Sequence, residues 1–407
     1  MKIAGRFHLT YCSNIHPGES WQDVSDVLRT ALPRVRALMN FEGPFAVGLR
    51  LSAAAAASLE TPATLVAFQE FLTAGDFYVP TINGFPYGAF HGQRVKERVY
   101  LPDWRDPARL DYSNRLARLL AALLDRRTDI VGSVSTVPGA FRREVRSPAD
   151  EDAIASNILR HAAYLVALRE RTGVEITLAL EPEPACLLET VADAVTFFQK
   201  SLFDAARVQR VARELGVDLT VDAVRRHVGV CLDACHMAVE FENPADAIAA
   251  LRRAGVRVCK IQVSSALLLA DRDGPALARA LTPFAEDTYL HQVVERHAGG
   301  FARYTDLPEA LDALEAQEAQ EATPRADGAR EWRVHFHVPI FLATIDTFDT
   351  TQPYLASLLD LLKRDDICPY FEVETYTWDV LPPEYRTGDV CTAIARELTW
   401  ARTTLES

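Results

Sequence analysis

Carboxylate, imidazole and amide side chains recur in this sequence where short apolar runs end. They are Glu181 after ITLAL, Asp233 and His236 at the end of VGVCL, Gln262 in CKIQV, His335 and His337 in RVHFHVPIF, and Glu372 and Glu374 in YFEVETY. Carboxylates that converge in apolar surroundings repel one another, and a divalent cation relieves that repulsion. Donors of these types favour Mn, Mg, Co or Zn over a thiolate-bound metal. The pattern therefore predicts a divalent metal site.

Each of these residues, taken alone, has a simpler interpretation. Asp233 could cap the helix that follows it, and an isolated His236 is more often an ordinary polar residue than a ligand. Glu183 could be exposed between its two prolines. His335 and His337 are expected to share one face of a strand, because strand side chains alternate. The repetition from strand to strand favours a common site over independent roles.

Nine β-rich runs, mostly separated by amphipathic stretches, would position these side chains. The runs are 4–12, 45–52, 77–84, 129–137, 175–184, 227–236, 256–265, 333–341 and 370–378, and helices are expected at 23–39, 156–173, 244–255 and 351–365. About eight strand–helix repeats predict an α/β chain with a (β/α)8 TIM barrel, whose active site lies at the C-terminal strand ends. Nine runs are one more than a barrel of eight strands needs. The run that does not belong to the barrel is expected to be 333–341 or one of the first two.

We predict a single TIM-barrel domain over 1–407 with an insertion at about 266–332. The insertion segment 308–332 is rich in Ala, Glu and Gln, and we interpret it as a solvated helix that passes into a flexible link. We place no chemistry in that segment.

Composition and charge argue against several classes of function. The net charge of -13 argues against nucleic-acid binding, since an acidic surface repels phosphate backbones. No apolar run approaches the roughly 20 residues of a membrane helix, so no integral membrane segment is expected. Seven cysteines occur singly, without CxxC pairs, and predict reduced, packed thiols. With no apparent signal peptide, the expected location is cytoplasmic.

The motifs LALEPEP, LDACHM and VETY resemble the xylose isomerase-like TIM-barrel superfamily, and its ketose 3-epimerases in particular. The resemblance implies Glu181, Asp233 and Glu374 as metal ligands, with Glu181 and Glu374 also acting as catalytic groups. The superfamily usually has histidine where Gln262 stands. Either Gln262, through its carbonyl oxygen, or His337 would then complete the ligand set.

A second resemblance extends over nearly the whole chain. The stretches HLTYCSNIHPGESW, LEPEP, LDACHMAVEFE, HFHVPIF and EVETYTWDVLP resemble the EboE group, the metabolite traffic proteins of the ebo operon. That resemblance implies a role in making or moving a small metabolite, and it draws attention to the N-terminal strand and loop. The candidates for substrate binding are His8, His16, Asn83, His236, His335 and Glu372.

Three functions remain open at this point. The first is a metal-dependent isomerase or epimerase acting on a small polyol, sugar or cyclitol, in which Glu181 and Glu374 exchange a proton with the substrate. The second is a binding or carrier protein that has lost the chemistry, which Gln262 motivates. The third is a metal-dependent phosphoesterase or endonuclease, which the acidic charge disfavours.

Overall fold

Eight parallel strands form the centre of the computed structural model, which describes residues 1–125, 127, 129–270, 274–320, 330–345, 348–386 and 388–407. They are β1 (Phe7–Tyr11), β2 (Phe45–Arg50), β3 (Phe77–Asn83), β4 (Gly132–Thr136), β5 (Ile176–Leu180), β6 (Val228–Asp233), β7 (Arg257–Val263) and β8 (Tyr370–Val373). Sequential strands pair from β2 to β8, β8 pairs with β1, and a parallel bridge from Cys12 to Gly48 brings β1 to β2. The predicted (β/α)8 barrel is confirmed.

Helices follow the strands and cover the barrel. They are Trp21–Leu38, Ala53–Leu59, Pro62–Ala74, Pro107–Leu123, Pro148–Thr172, Val191–Phe197, Ala205–Leu215, Val221–His227, Ala234–Val239, Pro244–Ala254, Gln352–Asp365 and Val390–Glu406. Three of them end at Gly173, Gly216 and Gly255, whose positive φ angles of 74°, 65° and 66° suit a residue without a Cβ. In the described part of the chain, no helix combines the length and apolar character needed to cross a membrane.

The segment after β7 forms a second sheet. Its antiparallel strands are Leu267–Ala270, Val293–His297, Gly300–Tyr304, Glu331–Val334, Thr344–Ile345 and Phe348–Thr350, and its helices are Gly274–Leu281 and Leu307–Gln320. Trp332, Phe284 and Phe336 are buried in an apolar core of its own. The insertion therefore runs to residue 350, beyond the predicted 332. The predicted flexible link falls largely on 321–329, which lie outside the described residues.

The surplus strand candidate is the run 333–341. Residues up to Val334 belong to the second sheet, whereas 335–339 have no regular structure, so the prediction of a strand face shared by His335 and His337 is wrong. The backbone N–H of His335 bonds to Gln292 O, and that of Val338 bonds to Ser265 O. Because two different segments accept these bonds, no single neighbouring strand pairs with this stretch.

A fully buried ion pair lies inside the barrel. Lys260 of β7 and Glu372 of β8 form it, and Lys260 Nζ also donates to Ser135 Oγ at 3.1 Å. A Cβ on Gly48 would lie 1.6 Å from Glu372 Oε1, so glycine is required there for the carboxylate to fit. All seven cysteines are free and buried, as the sequence predicted.

Candidate metal centre

Three carboxylates meet at the C-terminal end of the barrel. Glu181 follows β5, Asp233 ends β6 and Glu374 follows β8. Each offers one oxygen within 4.8 Å of the other two, and the residues are only 3%, 1% and 4% exposed. We call these three residues the carboxylate cluster. The cluster thus contains three of the five predicted metal ligands, and the other two lie beside it: Gln262 donates to Glu374, and His337 Nε2 is 3.9 Å from Asp233 Oδ2.

The two oxygens of Asp233 have different surroundings. Oδ1 accepts hydrogen bonds from the backbone N–H of His236 at 3.1 Å and from Ser264 Oγ at 2.6 Å, and so caps the helix Ala234–Val239. Oδ2 is buried and has no hydrogen-bond partner among the described residues. Asp233 therefore caps the helix and also lies in the carboxylate cluster, while its role as a metal ligand stays a prediction.

Glu374 is held by three side-chain amides. Asn14 and Asn83 donate to its Oε1 at 2.6 and 2.9 Å, and Gln262 donates to its Oε2. The carbonyl oxygen of Gln262 accepts from the Cys231 thiol at 3.1 Å. Glu181, by contrast, has a buried Oε2 with no partner in the described part of the chain. Glu181 is therefore less constrained by side-chain donors than Glu374.

Burial controls the ionisation of the cluster. It raises the pKa values of Glu181 and Glu374 well above the ordinary range, and neighbouring carboxylates add to the effect while Lys260 opposes it. For Asp233, burial also raises the pKa, but the neighbouring His236 and His337 together with the hydrogen bonds from Ser264 and the His236 N–H outweigh it, and the net shift is downward. The unpartnered Oε2 of Glu181 and Oδ2 of Asp233 are hard oxygen donors, which fit a divalent cation.

Three buried imidazoles lie beside the carboxylates. His335 Nε2 is 3.1 Å from His236 Nε2 and 3.2 Å from His337 Nε2. The three opposite nitrogens face oxygen acceptors: Nδ1 of His236 bonds to Pro182 O at 2.9 Å, Nδ1 of His335 to Gln292 Oε1 at 2.6 Å, and Nδ1 of His337 to Glu374 O at 2.8 Å. We call His236, His335 and His337 the histidine cluster.

Burial keeps at least two of these imidazoles neutral. It lowers the pKa of His337 to about 4, and it lowers that of His335 well below the ordinary value, with the other histidines adding to the effect. His337 Nε2 lies 3.9 Å from Asp233 Oδ2, so the histidine and carboxylate clusters adjoin. A neutral imidazole is the form that binds metals.

A cavity lies over both clusters, and the space in and above it amounts to about 520 Å³ when open solvent is included. Its polar side is formed by residues of the clusters with Asn14, Asn83 and Glu183, and its apolar side includes Phe85, Phe90, Val95, Val99, Tyr100, Tyr289, Leu290 and Tyr376. The rings of Phe90, Tyr289 and Tyr376 pack with centroids 5.0 to 5.3 Å apart. The mixed lining suits a small ligand with one polar face.

Three predicted substrate-binding residues lie away from this cavity. His8 bonds through Nδ1 to Tyr78 OH at 2.9 Å, and it pairs with Tyr370, the first residue of β8. That places it about 10 Å along the strands from the barrel mouth. His16 packs against Tyr11, and Glu372 pairs with Lys260 inside the barrel. The structure brings Asn83, His236 and His335 to the cavity, but not these three.

Sequence reasoning missed several residues of the site, among them Asn14, Glu183 and Gln292. Glu183 is buried, not exposed between prolines, and accepts from Tyr100 OH at 2.9 Å. Gln292 comes from the insertion and holds His335. Glu183 shares its EPEP motif with Glu181, which was an available signal. No local pattern marks Gln292, because its role depends on how the second sheet packs on the barrel.

Neither protein-family models nor curated protein sequences match this chain. Among solved structures, a xylose isomerase-like TIM barrel protein from Mycobacterium smegmatis in complex with magnesium is similar over 100% of this chain and 99% of its own, with 12% identity and a TM-score of 0.50. The probable 3-DHS dehydratase AsbF of Bacillus anthracis, involved in petrobactin synthesis, covers 98% of both chains at 12% identity and a TM-score of 0.44. An IOLI protein with a bound zinc atom covers 98% of this chain and 97% of its own, at 12% identity and a TM-score of 0.43.

The first of these likenesses supports the TIM-barrel fold. At 12% identity it concerns the fold alone, and the two likenesses with TM-scores below 0.5 carry no argument about this chain.

Proposed function

We propose that this protein is a metal-dependent isomerase or epimerase that acts on a small polyol, sugar or cyclitol. The observation that carries the proposal is the carboxylate cluster: three buried acids converge beside a cavity, and Glu181 Oε2 and Asp233 Oδ2 have no hydrogen-bond partner among the described residues. Buried acids at this spacing are costly unless a cation or protons balance them. An active site at the C-terminal strand ends also agrees with the position of catalysis in TIM barrels.

The roles of the acids follow from their contacts. Glu181, Asp233 and Glu374 would hold the cation, which when bound would polarise a substrate carbonyl and stabilise negative charge on it. Glu181 would remove the proton beside that carbonyl, because its Oε2 has no hydrogen-bond donor among the described residues and burial raises its pKa. Glu374, which three amides fix in place, would return the proton.

The two sides of the cavity suit a ring with unlike faces. The polar side offers side chains that can bond hydroxyl groups, including Asn83, His236 and Glu183. The aromatic side can pack on the C–H face of a sugar or cyclitol ring. Both features fit a small polyhydroxylated substrate better than an extended polymer.

We also propose the finer assignment to the EboE group, with a role in making or moving a small metabolite. Its support is the set of sequence motifs given above. The barrel and its insertion are proposed to form one domain, because Gln292 of the insertion holds His335 at the cavity.

A binding or carrier protein is the second candidate. The observation in its favour is Gln262, which stands where the superfamily usually has a ligand and instead donates to Glu374. A barrel with this change could retain ligand binding without turnover.

A deuterium-exchange experiment tests the proposed reaction. The protein, loaded with Mn²⁺ and then with Co²⁺, is incubated in D₂O with a panel of ketohexoses, ketopentoses and keto-inositols, and NMR follows exchange at the carbon beside the carbonyl. We expect exchange with at least one compound, and its loss in Glu181→Gln. Saturable binding without exchange across the panel would favour the carrier function instead.

A further inference from the structure

We propose that this protein forms a symmetric dimer in which one edge of the second sheet pairs with the same edge of a second copy. This edge is the strand Gly300–Tyr304, which we call the edge strand. Within the described part of the chain it pairs on one side only, with Val293–His297. An open strand edge with unpaired backbone groups is a template for pairing with another chain. The dimer does not depend on the reaction proposed above.

Hydrogen bonds of the neighbouring strand show which way the backbone groups of Val293–His297 point. The N–H of His335 donates to Gln292 O at 2.9 Å, which extends the antiparallel pairing with Glu331–Val334 by one residue. In an antiparallel pair, residues that exchange hydrogen bonds alternate with residues that do not. Every second residue counted from Gln292 therefore bonds towards Glu331–Val334, and the residues between them bond towards the edge strand.

The register of the edge strand then identifies its outward groups. Ala302 is opposite Glu295, one of the residues that bond towards the edge strand, so the N–H and C=O of Ala302 point inward. The residues on either side, Phe301 and Arg303, direct their N–H and C=O outward. None of these outward groups has a hydrogen-bond partner among the described residues. The edge strand is thus able to bond to one more strand through both residues.

Two edge strands related by a two-fold axis at Ala302 satisfy all of these groups. In this antiparallel register Ala302 faces its own symmetry mate, and Phe301 faces Arg303 of the partner subunit. Phe301 and Arg303 then form the hydrogen-bonded pairs, and each pair exchanges two N–H···O=C bonds. A shift by one residue would set outward groups against inward ones, so the backbone itself favours this register.

The side chains of the same two residues are complementary in this register. Phe301 is 48% exposed, and the Arg303 side chain stays 43% exposed although its Nη2 lies 2.8 Å from Glu240 Oε2. A guanidinium opposite an aromatic ring is attractive. A register that placed Arg303 opposite its own symmetry mate would instead oppose like charges. Backbone and side chains therefore select the same pairing, and the complement of this edge is a second copy of the edge itself.

The surroundings of Phe301 allow a second copy to approach. Arg296 pairs with Glu331 within the chain, so its charge is balanced in place. The ring of Phe241 lies 5.3 Å from that of Phe301, centroid to centroid, and extends the apolar surface. Aromatic and arginine side chains are enriched in protein–protein interfaces.

Analytical ultracentrifugation of the full chain tests the dimer. We expect the wild type to sediment as a dimer at micromolar concentration. Phe301→Arg would oppose two arginines in both symmetric pairs and should raise the dimer dissociation constant by about tenfold or more. Phe301→Glu also removes the ring but faces an arginine, and it should keep the dimer. The matched control is Val66→Arg, at a position 51% exposed in the helix Pro62–Ala74, which should behave as the wild type.

A cross-linking variant tests the register without a change of charge. Ala302→Cys places one thiol of each copy at the two-fold axis, where Cα atoms of a non-hydrogen-bonded pair lie about 4.5 Å apart, within the range of a disulfide. All seven native cysteines are buried, so oxidation should join two copies through the new thiol. Ala298→Cys, in the exposed turn before the edge strand, should not cross-link, because its two copies would be more than about 20 Å apart.

Three results would overturn the dimer at this edge. The first is a wild type that stays monomeric over the whole concentration range. The second is a dimer that Phe301→Arg and Phe301→Glu affect equally, which would indicate association without the proposed register. The third is a wild-type dimer whose Ala302→Cys variant does not cross-link on oxidation, which would place the interface elsewhere on the surface.

Discussion

Gln262 donates a hydrogen bond to Glu374 between neighbouring strand ends of the barrel. The other end of the Gln262 amide accepts from Cys231, so both of its polar atoms are engaged within the protein. In this structure Gln262 therefore orients Glu374 and does not present a free oxygen to a cation. Its role as a direct ligand, which the sequence suggested, stays a prediction.

Replacing Gln262 by leucine tests this orienting role. Leucine has a similar volume but no amide donor, so Glu374 would lose one of its three anchors. We expect cation affinity at the carboxylate cluster to fall by roughly 10–100-fold, as for the loss of other outer partners of metal ligands. Isothermal titration calorimetry with Mn²⁺ measures this affinity. Cys231→Ala is the matched control, and we expect it to change the affinity little. Unchanged affinity in Gln262→Leu would contradict the orienting role of Gln262.

The substitution Asp233→Asn separates the two roles of this residue. Asparagine caps a helix about as well as aspartate, so the thermal stability of the ion-free protein should change little. Cation binding should fall strongly, because the charge of Oδ2 is removed. Calorimetric unfolding with and without Mn²⁺ gives both quantities. A large loss of ion-free stability, with cation binding intact, would show that Asp233 is only a cap.

The buried ion pair of Lys260 and Glu372 is expected to respond asymmetrically to substitution. Lys260→Met leaves a buried carboxylate without its partner and should lower the free energy of unfolding by about 3–5 kcal/mol. The double variant Lys260→Met with Glu372→Gln should recover much of that loss, because no charge is left unpaired. Urea denaturation measures both. A double variant no more stable than the single one would contradict the pairing argument.

Glu397 is a buried carboxyl that lies away from the cavity, and we expect it to make the stability of the fold depend on pH. Burial raises its pKa to about 7, although Thr375 and the Ile340 N–H donate to its Oε1. The unfolded chain releases this proton near pH 4.5, whereas the folded chain holds it to about 7. The carboxyl therefore destabilises the fold progressively as pH rises between these values.

Glu397→Gln removes that pH-dependent penalty. We expect the variant to match the wild type below about pH 4.5 and to be more stable above pH 7, by up to about 3 kcal/mol. Urea denaturation at pH 5 and at pH 8 compares the free energy of unfolding of the variant with that of the wild type. Glu406→Gln, in the exposed last turn of the same helix, serves as the control with little change. Equal effects of Glu397→Gln at both pH values would show that its pKa is not raised.

The local sequence was sufficient to predict the barrel and two of the three residues of the carboxylate cluster without ambiguity. Parallel strands align their C-terminal ends, so the residues that end successive strands must meet, as Glu181 and Asp233 do. The period-2 alternation of YFEVETY could not decide which of its acids reaches the mouth. The structure does so by pairing Glu372 with Lys260 inside the barrel and leaving Glu374 at the end.

Tertiary packing determined what the sequence could not show. The alternating pattern of His335 and His337 matched a strand, but hydrogen bonds to Gln292 and Ser265 hold this segment as an irregular crossing beside the cavity. The insertion was expected to carry no chemistry in 308–332, and its contribution comes instead from the earlier residue Gln292. His8 does not reach the cavity because it is the second residue of its strand and so lies towards the opposite end of the barrel.

Anomalous diffraction from crystals grown with Mn²⁺ tests the central claim most directly. The account predicts an anomalous peak within coordination distance, about 2.0–2.4 Å, of Glu181 Oε2 and Asp233 Oδ2. That peak should vanish in crystals of Glu181→Gln that keep the same fold. If crystals grown with saturating Mn²⁺ show no anomalous peak between these two oxygens, the result would contradict a metal centre at the mouth of this barrel.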